Sequence, residues 1–394
     1  MQRTNTTRFF LISVTALSLG TAITAAAAKG GDAARYVSGR TPVLGHSSEL
    51  SVLRARGLSP SRAGMTPPGH PANSWNKLGS MAGAVVHDVA FVSATTGYAA
   101  AELGQLWRTV DGGAHWAKIL NRGFPFYYYG VQATGQTIVL SGFNDSTGEG
   151  ILTQSDDAGT TWNSDVVLSA NAWAGRVRFT KGTAHGLAMN GGGSSGTSPN
   201  IAWWTKKPDH WQSDVPDPNG GWFGNQFTLL KDKSAYASGI TFCKSGDIGA
   251  TWTCAPPADS VFDGPTLFVD DKHGWTGGGE ISPDVAGWLH RTTDGGVTWS
   301  GRVLTTDWPI RQIEFLDRKI GWAAGGDVYS HVGGIYYTSN GGKSWALDAT
   351  TGDEMGACAH QPIGDGSQTQ VWCVGFLLNG NFSSETYSTV VATP

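Results

Sequence analysis

Thr292-Thr293-Asp294-Gly295-Gly296-Val297-Thr298-Trp299 decides the fold, because the same eight-residue unit returns along the chain. Thr109–Trp116, Ser155–Trp162, Ser245–Trp252 and Thr338–Trp345 repeat it as Ser/Thr-x-Asp-x-Gly-x-Thr/Ser-Trp, with His115 at the seventh position of the first copy and Asn340 for Asp in the last. Thr205–Trp211 is a degenerate copy, one residue short. Trp116, Trp162, Trp211, Trp252, Trp299 and Trp345 fall 46, 49, 41, 47 and 46 residues apart. A period of about 40–50 residues carried on strand-like runs is the mark of propeller blades.

A second marker precedes several copies: Gly97-Tyr98, Ala235-Tyr236, Gly274-Trp275 and Gly321-Trp322. About seven residues before each lies an apolar run, such as Val85–Phe91, Thr266–Val269 or Ile310–Phe315. Each unit therefore reads as an inner strand, an aromatic-glycine strand, a third strand, an aspartate-containing turn and an outer strand starting at Trp.

This pattern resembles the Asp-box (BNR) repeat, and the Gly-Trp/Tyr marker is similar to that of the photosystem II assembly and stability factor propellers. The resemblance spans residues from about 75 to 394 and implies a sialidase-like superfamily architecture. It leaves activity open, since Asp boxes also occur in sialidases, xyloglucanases and sortilin-type receptors. The turn itself has a local role: aspartate accepts turn N–H groups, glycine permits positive φ, and tryptophan packs on the neighbouring sheet. Asp111, Asp157, Asp247, Asp294 and Asn340 are accordingly expected to be structural; five copies of one acid do not describe one active site.

Asn73-Ser74-Trp75 looks like an outer strand without its preceding turn, and Trp75 lies 41 residues before Trp116. The last unit, Met355–Thr393, has three strand-like runs and no terminal aspartate turn. The expectation is an all-β, seven-bladed propeller of four-stranded antiparallel blades, its ring closed by the N-terminal outer strand so that no sheet edge is left open.

Composition agrees. Among 394 residues there are 56 Gly and 17 Trp, and charged residues are only 15%, which excludes long surface helices laced with ion pairs. A formal charge of −4 removes the electrostatic case for nucleic acid. Residues 1–28 read as a secretory signal peptide of bacterial type, with Arg3 and Arg8 before the apolar stretch Phe9–Ala22 and small residues Ala25–Ala28 for cleavage. No later stretch is long and apolar enough to span a bilayer, so the mature chain is expected to be periplasmic or extracellular and monomeric. Residues 29–72 form a basic Pro/Gly/Ser-rich leader, and 73–394 the propeller domain.

Four cysteines in an exported chain suggest two disulfides, and position favours Cys243–Cys254 and Cys358–Cys373, each pair flanking one hairpin. Zinc is the weaker reading, because neither pair has metal-ligand spacing.

Chemistry belongs on the inner strands, which line a propeller's channel. Aligned on the apolar residue before each marker (Phe91, Val131, Phe179, Leu229, Phe268, Phe315), the strands place His87, Tyr127, Gly175, Asn225, Gly264 and Arg311 in one layer. Asp88, Tyr128, Arg176, Gln226, Pro265 and Gln312 form the next, with Asp263 just before the fifth strand. Phe124–Tyr129 and Trp222-Phe223 stand at the rim. The candidate ligand-binding residues are Asp88, Tyr128, Trp222, Asn225, Gln226, Asp263 and Gln312. A solvated channel lined by polar residues is the competing reading.

Three enzyme classes compete for these residues. The sialidase Arg-Ile-Pro signature is absent, and a two-carboxylate glycosidase would rest on unmarked Asp88 and Asp263. A polysaccharide lyase has the right residue types: Arg176 or Arg311 to neutralise a uronate and Tyr127 or His87 as base. No metal, cofactor or phosphate-binding motif is present. The leading expectation is a non-catalytic binding or assembly propeller for a protein or polysaccharide partner, with the lyase as the alternative.

Overall fold

In a computed structural model of the chain, the described residues are 74–394 without 171–173, 181–184, 191–199, 206–210, 217–225, 232–233, 239–241, 250, 256–263, 281–285, 328–331, 353 and 378–382. The signal segment, the leader, the turn of the degenerate repeat, Trp222, Asn225 and Asp263 lie outside them.

The described residues form seven four-stranded antiparallel sheets and no helix. Their inner strands are Val86–Phe91, Phe126–Thr134, Ala174–Phe179, Thr228–Leu229, Thr266–Phe268, Ile310–Phe315 and Glu354–Ile363. Each inner strand lies beside the next, and the seventh lies beside the first. The seventh sheet takes its outer strand, Asn76–Ala82, from the front of the chain, pairing Asn76 with Ser388 and Ala82 with Ser383. Trp75 stands at the head of this strand and donates its indole N–H to Asp348 of the sixth sheet at 2.6 Å.

The recurring octapeptide builds one turn. Thr109 Oγ1 donates to Asp111 Oδ1 (2.9 Å) and accepts the Gly113 N–H (2.9 Å), while Asp111 Oδ1 accepts the His115 N–H (2.9 Å). Ser155/Asp157/Thr161, Ser245/Asp247/Thr251 and Thr292/Asp294/Thr298 repeat the arrangement, and Asn340 reproduces it with Thr338 and Ser344. The backbone after each aspartate is left-handed, with φ of 73° at Gly112, Gly295 and Gly341 but also 58° at Ala158 and 67° at Ile248. Hydrogen bonding from the His115 backbone and side chain holds the Asp111 carboxyl down at about 2, and bonds from the side chain and backbone of Thr161 do the same at Asp157. These carboxylates serve the turn.

The aromatic-glycine marker has an equally direct cause. Phe91, Phe268 and Phe315 lie across the glycines opposite them, so that a Cβ at Gly97, Gly274 or Gly321 would meet the ring at 2.6, 2.6 or 2.4 Å. The aromatic after the glycine reaches the next sheet. Tyr236 stacks on Phe268 (3.8 Å between centroids), Trp275 on Phe315 (3.5 Å) and Trp372 on Phe91 (3.8 Å). Trp275 and Trp372 also donate to the carbonyls of Gly341 and Gly112 in the following sheet's turn. The core is thus a series of aromatic layers between sheets, each offset-stacked pair adding about 0.5–1.5 kcal/mol beyond its buried area.

Both disulfides form as the positions suggested, each between residues directly opposite on adjacent strands with Cα atoms 4.1 Å apart. They exclude the zinc alternative and fit an oxidising compartment. No helix among the described residues is long and apolar enough to cross a membrane.

Candidate functional site

The middle of the channel is closed by side chains that bind one another. Arg178, on the third inner strand, holds Asp88 of the first through two bonds, Nη1 to Oδ2 at 2.8 Å and Nη2 to Oδ1 at 3.1 Å. The Val131 N–H of the second sheet donates to the same carboxylate at 3.0 Å. Arg176 donates to Gln312 of the sixth sheet, to the His87 carbonyl (3.2 Å) and to the Gly356 carbonyl of the seventh (2.8 Å), and lies 3.7 Å from Asp88. Gln226 pairs with Ile313 as a strand would, accepting its N–H (3.0 Å) and donating to its C=O (2.8 Å). Asp88, Arg176, Gln226 and Gln312 are all at most 5% exposed.

Electrostatics follow from this burial. Desolvation alone would raise Asp88, but the Arg178 and Arg176 charges, with the bonds from Arg178 and Val131, hold it below the usual carboxylate range. Desolvation brings Arg176 down to about 10 against the attraction of Asp88. A buried pair of this kind is net favourable only when its remaining bonds are satisfied, as here.

At the end where the inner strands begin, His87 Nε2 lies 3.3 Å from Glu102 Oε1, and its ring packs edge-on to Tyr129 at 5.1 Å. Tyr127 lies parallel to Tyr129 at 6.5 Å. Arg311 donates from Nε to Glu354 Oε1 at 2.8 Å. The structure therefore gathers His87 and Tyr127 on one side of this mouth and pairs Arg311 with a carboxylate. Of the predicted aromatic rim, Phe124 is 67% exposed, whereas Tyr127, Tyr128 and Tyr129 are buried.

The second inner strand corrects the alignment. Phe91, Phe179, Leu229, Phe268 and Phe315 face Gly97, Gly186, Ala235, Gly274 and Gly321, but the equivalent pair in the second sheet, where Ile138 lies opposite the turn's Ser155, is Ala133 with Ile138. The layer runs through Ala133, not Val131, so Tyr127 and Tyr128 sit further towards the strand's start than expected. Tyr128 is no channel residue: it lies in the apolar layer between the first two sheets, its hydroxyl bonded with Arg122 and Thr153. The second sheet lacks the aromatic-glycine marker, and a bulge between Tyr128 and Gly130 adds to the offset.

At the opposite end, below Arg178, Gln226 and Gln312, the channel widens into a cavity of about 350 Å³. Phe91, Phe179 and Phe268 contribute to its wall, and Gln132, Glu314 and His360 bring polar groups to it. Glu314 accepts from His360 Nδ1 across the boundary of the sixth and seventh sheets. Burial lowers His360, but the bond to Glu314 and its charge prevail and raise the imidazole above its usual value. None of these three polar residues was singled out from the sequence. Extending the alignment through Val371-Trp372, which faces His360 and Ala359, brings His360 into the phenylalanine layer. Among the described residues no cluster of three or more His, Cys, Asp or Glu is arranged to hold a metal.

No protein-family model matches the chain, and no curated protein does. Solved structures do. A structure described as YCF48 bound to D1 peptide superposes with a TM-score of 0.57 at 12% identity, over 83% of this chain and 100% of that one. YCF48 from Cyanidioschyzon merolae gives 0.55 at 17% identity, over 79% and 98%. The WD40 β-propeller domain of Doa1 gives 0.54 at 12%, over 81% and 97%. At these identities the likeness is one of fold: a propeller of four-stranded blades.

Proposed function

We propose that this chain is an exported, non-catalytic, seven-bladed propeller of Asp-box type that binds a protein partner at the end where its inner strands begin. The observation that carries the reading is the state of the arginines. A uronate lyase needs an arginine free to meet a carboxylate, whereas Arg176 has a buried set of protein acceptors and Arg311 is held by Glu354. A saturated throat makes a floor for a partner, with Asp88, Arg176, Gln226 and Gln312 fixing its shape.

Loop placement supports this face. The connections after Asn190, Pro216 and Ala255 begin and end at it, with nine (191–199), eleven (217–227) and ten (256–265) intervening residues. In sequence they include Trp222, Asn225 and Asp263; Phe124, in the connection before the second inner strand, is exposed, and aromatic side chains in connecting segments are favoured for partner contact. The similarity to a propeller bound to a peptide raises the weight of a protein partner over a glycan.

Selection of displayed peptides on the mature protein tests the proposal. Saturable peptides are expected, and Phe124→Ser is expected to weaken them about tenfold without changing the fold. The alternative, lyase chemistry, is favoured only by the proximity of His87, Glu102 and Tyr129. Appearance of an unsaturated, ultraviolet-absorbing product from uronic-acid polysaccharides, abolished in Arg311→Ala and Tyr127→Phe, would replace the binding reading.

A further inference from the structure

The cavity at the far end of the channel has a chemistry of its own. It lies where the inner strands finish, with the paired Asp88, Arg176 and Gln312 between it and the mouth discussed above. Its accessible apolar wall is formed by Phe179, Leu229, Leu230 and Leu267, with Phe91 and Phe268 buried behind, and a volume near 350 Å³ falls within the range of small-molecule sites.

The polar groups facing it are chiefly donors. His360 uses Nδ1 towards Glu314, and its Nε2 has no partner among the described residues although the side chain is 36% exposed. Gln132 lines the cavity with its amide likewise unpartnered there. Arg178 places its charge in the wall while Nη1 and Nη2 serve Asp88, leaving Nε–H without a described acceptor. The two carboxylates nearby, Asp88 and Glu314, are already accepting from these same cations. With His360 protonated, three cations (Arg176, Arg178, His360) stand against two carboxylates.

We propose that this cavity binds a small monocarboxylate with an apolar body, its carboxylate accepting from His360 Nε2–H and the Gln132 amide near Arg178, and its hydrocarbon part against Phe179, Leu229, Leu230 and Leu267. One added anion neutralises the cluster, and charge-assisted bonds in an apolar setting are the stronger kind. The site is separate from the partner-binding mouth, so either assignment stands or falls alone.

Binding should depend on pH through His360. Glu314 on the sixth inner strand is the charged group bonded to it, with Asp88 on the first strand and Arg176 and Arg178 on the third in the throat above; the strand paired beside it, Gln368–Leu377, has no titrating side chain. Glu314 stabilises the imidazolium, so affinity is retained where His360 is protonated and falls as pH rises through its titration.

The test is calorimetric titration of the folded protein with 3-phenylpropionate at about pH 6, with 3-phenylpropanamide as the neutral control. Saturable binding is expected for the acid, about tenfold weaker for the amide and for His360→Gln, which keeps a donor for Glu314 but loses the charge. Gln132→Leu should weaken the acid several-fold, and Phe124→Ser at the other mouth should leave it unchanged. Should His360→Gln fail to fold, the wild-type pH series decides, with affinity expected to drop as pH rises above the ordinary imidazole range. No saturable binding, or affinity independent of both pH and His360→Gln, would overturn the proposal.

Discussion

Arg178 grips Asp88 at 2.8 and 3.1 Å although a whole sheet stands between the strands that bear them, and that intervening sheet sends its Val131 N–H to the same carboxylate. Three sheets are fastened at one buried acid. Asp88→Asn keeps the volume but removes the bonded countercharge of Arg178 and the nearest one of Arg176, leaving only the charge of Glu314 to act on them. We expect a loss of about 3–5 kcal/mol, read as a lower midpoint in urea at unchanged slope. A midpoint equal to that of the parent chain would show that the pair is not structural.

The aspartate turns predict acid sensitivity. Asp111 and Asp157 titrate at about 2 in the folded chain, against about 3.9 for a carboxyl in an unfolded one. As pH falls the unfolded chain takes up these protons first, so the stabilisation present above about pH 4 is lost between there and about pH 2. Thermal melts across that range should show a falling transition temperature, shallower in Asp157→Asn. A temperature flat from neutral pH to about pH 2 contradicts this.

Ala158 occupies the left-handed position that three of the five turns give to glycine, at φ 58°. A Cβ there costs about 1 kcal/mol relative to glycine. Ala158→Gly should therefore stabilise by up to about that amount, less the extra freedom glycine gives the unfolded chain. Chemical denaturation reads the sign directly.

Gly321 has the Phe315 ring 2.4 Å from where a Cβ would stand, and that ring is stacked on Trp275 of the preceding sheet. Gly321→Ala must displace the ring from its stack, at about 1–3 kcal/mol. Phe315→Leu in the same chain should remove most of that extra cost, giving a coupling energy in a double-mutant cycle. Additive effects would mean the ring has room to move.

These cases mark what was legible before any coordinates. The turn could be read because each of its residue types has a fixed local partner a few positions away, from Thr109 and Asp111 to Thr338 and Asn340. The closing strand was legible from Trp75 for the same periodic reason. The second inner strand is misaligned where its sheet lacks the marker, which is why Val131 stands in for Ala133. The throat was legible in part: the alignment puts Asp88, Arg176, Gln226 and Gln312 in one layer, but the pairing of Asp88 with Arg178 and of Arg176 with Gln312 comes from ring geometry that no sequence spacing encodes. His360 escapes because the seventh repeat replaces the marker glycine by Val371, leaving its inner strand unaligned, and Glu314 because it stands one residue from Phe315, outside the two layers read as ligand-facing.

The strand Asn76–Ala82 completes a sheet whose other members are Glu354–Ile363, Gln368–Leu377 and Ser383–Ala392. The segment of this fold made first thus waits for those made last. During synthesis its hydrogen-bonding edge has no native partner until nearly the whole domain has emerged, so maturation is an end-of-translation event, and a chain stopped before Ser383 presents a recognisably unfinished edge to proteases and chaperones.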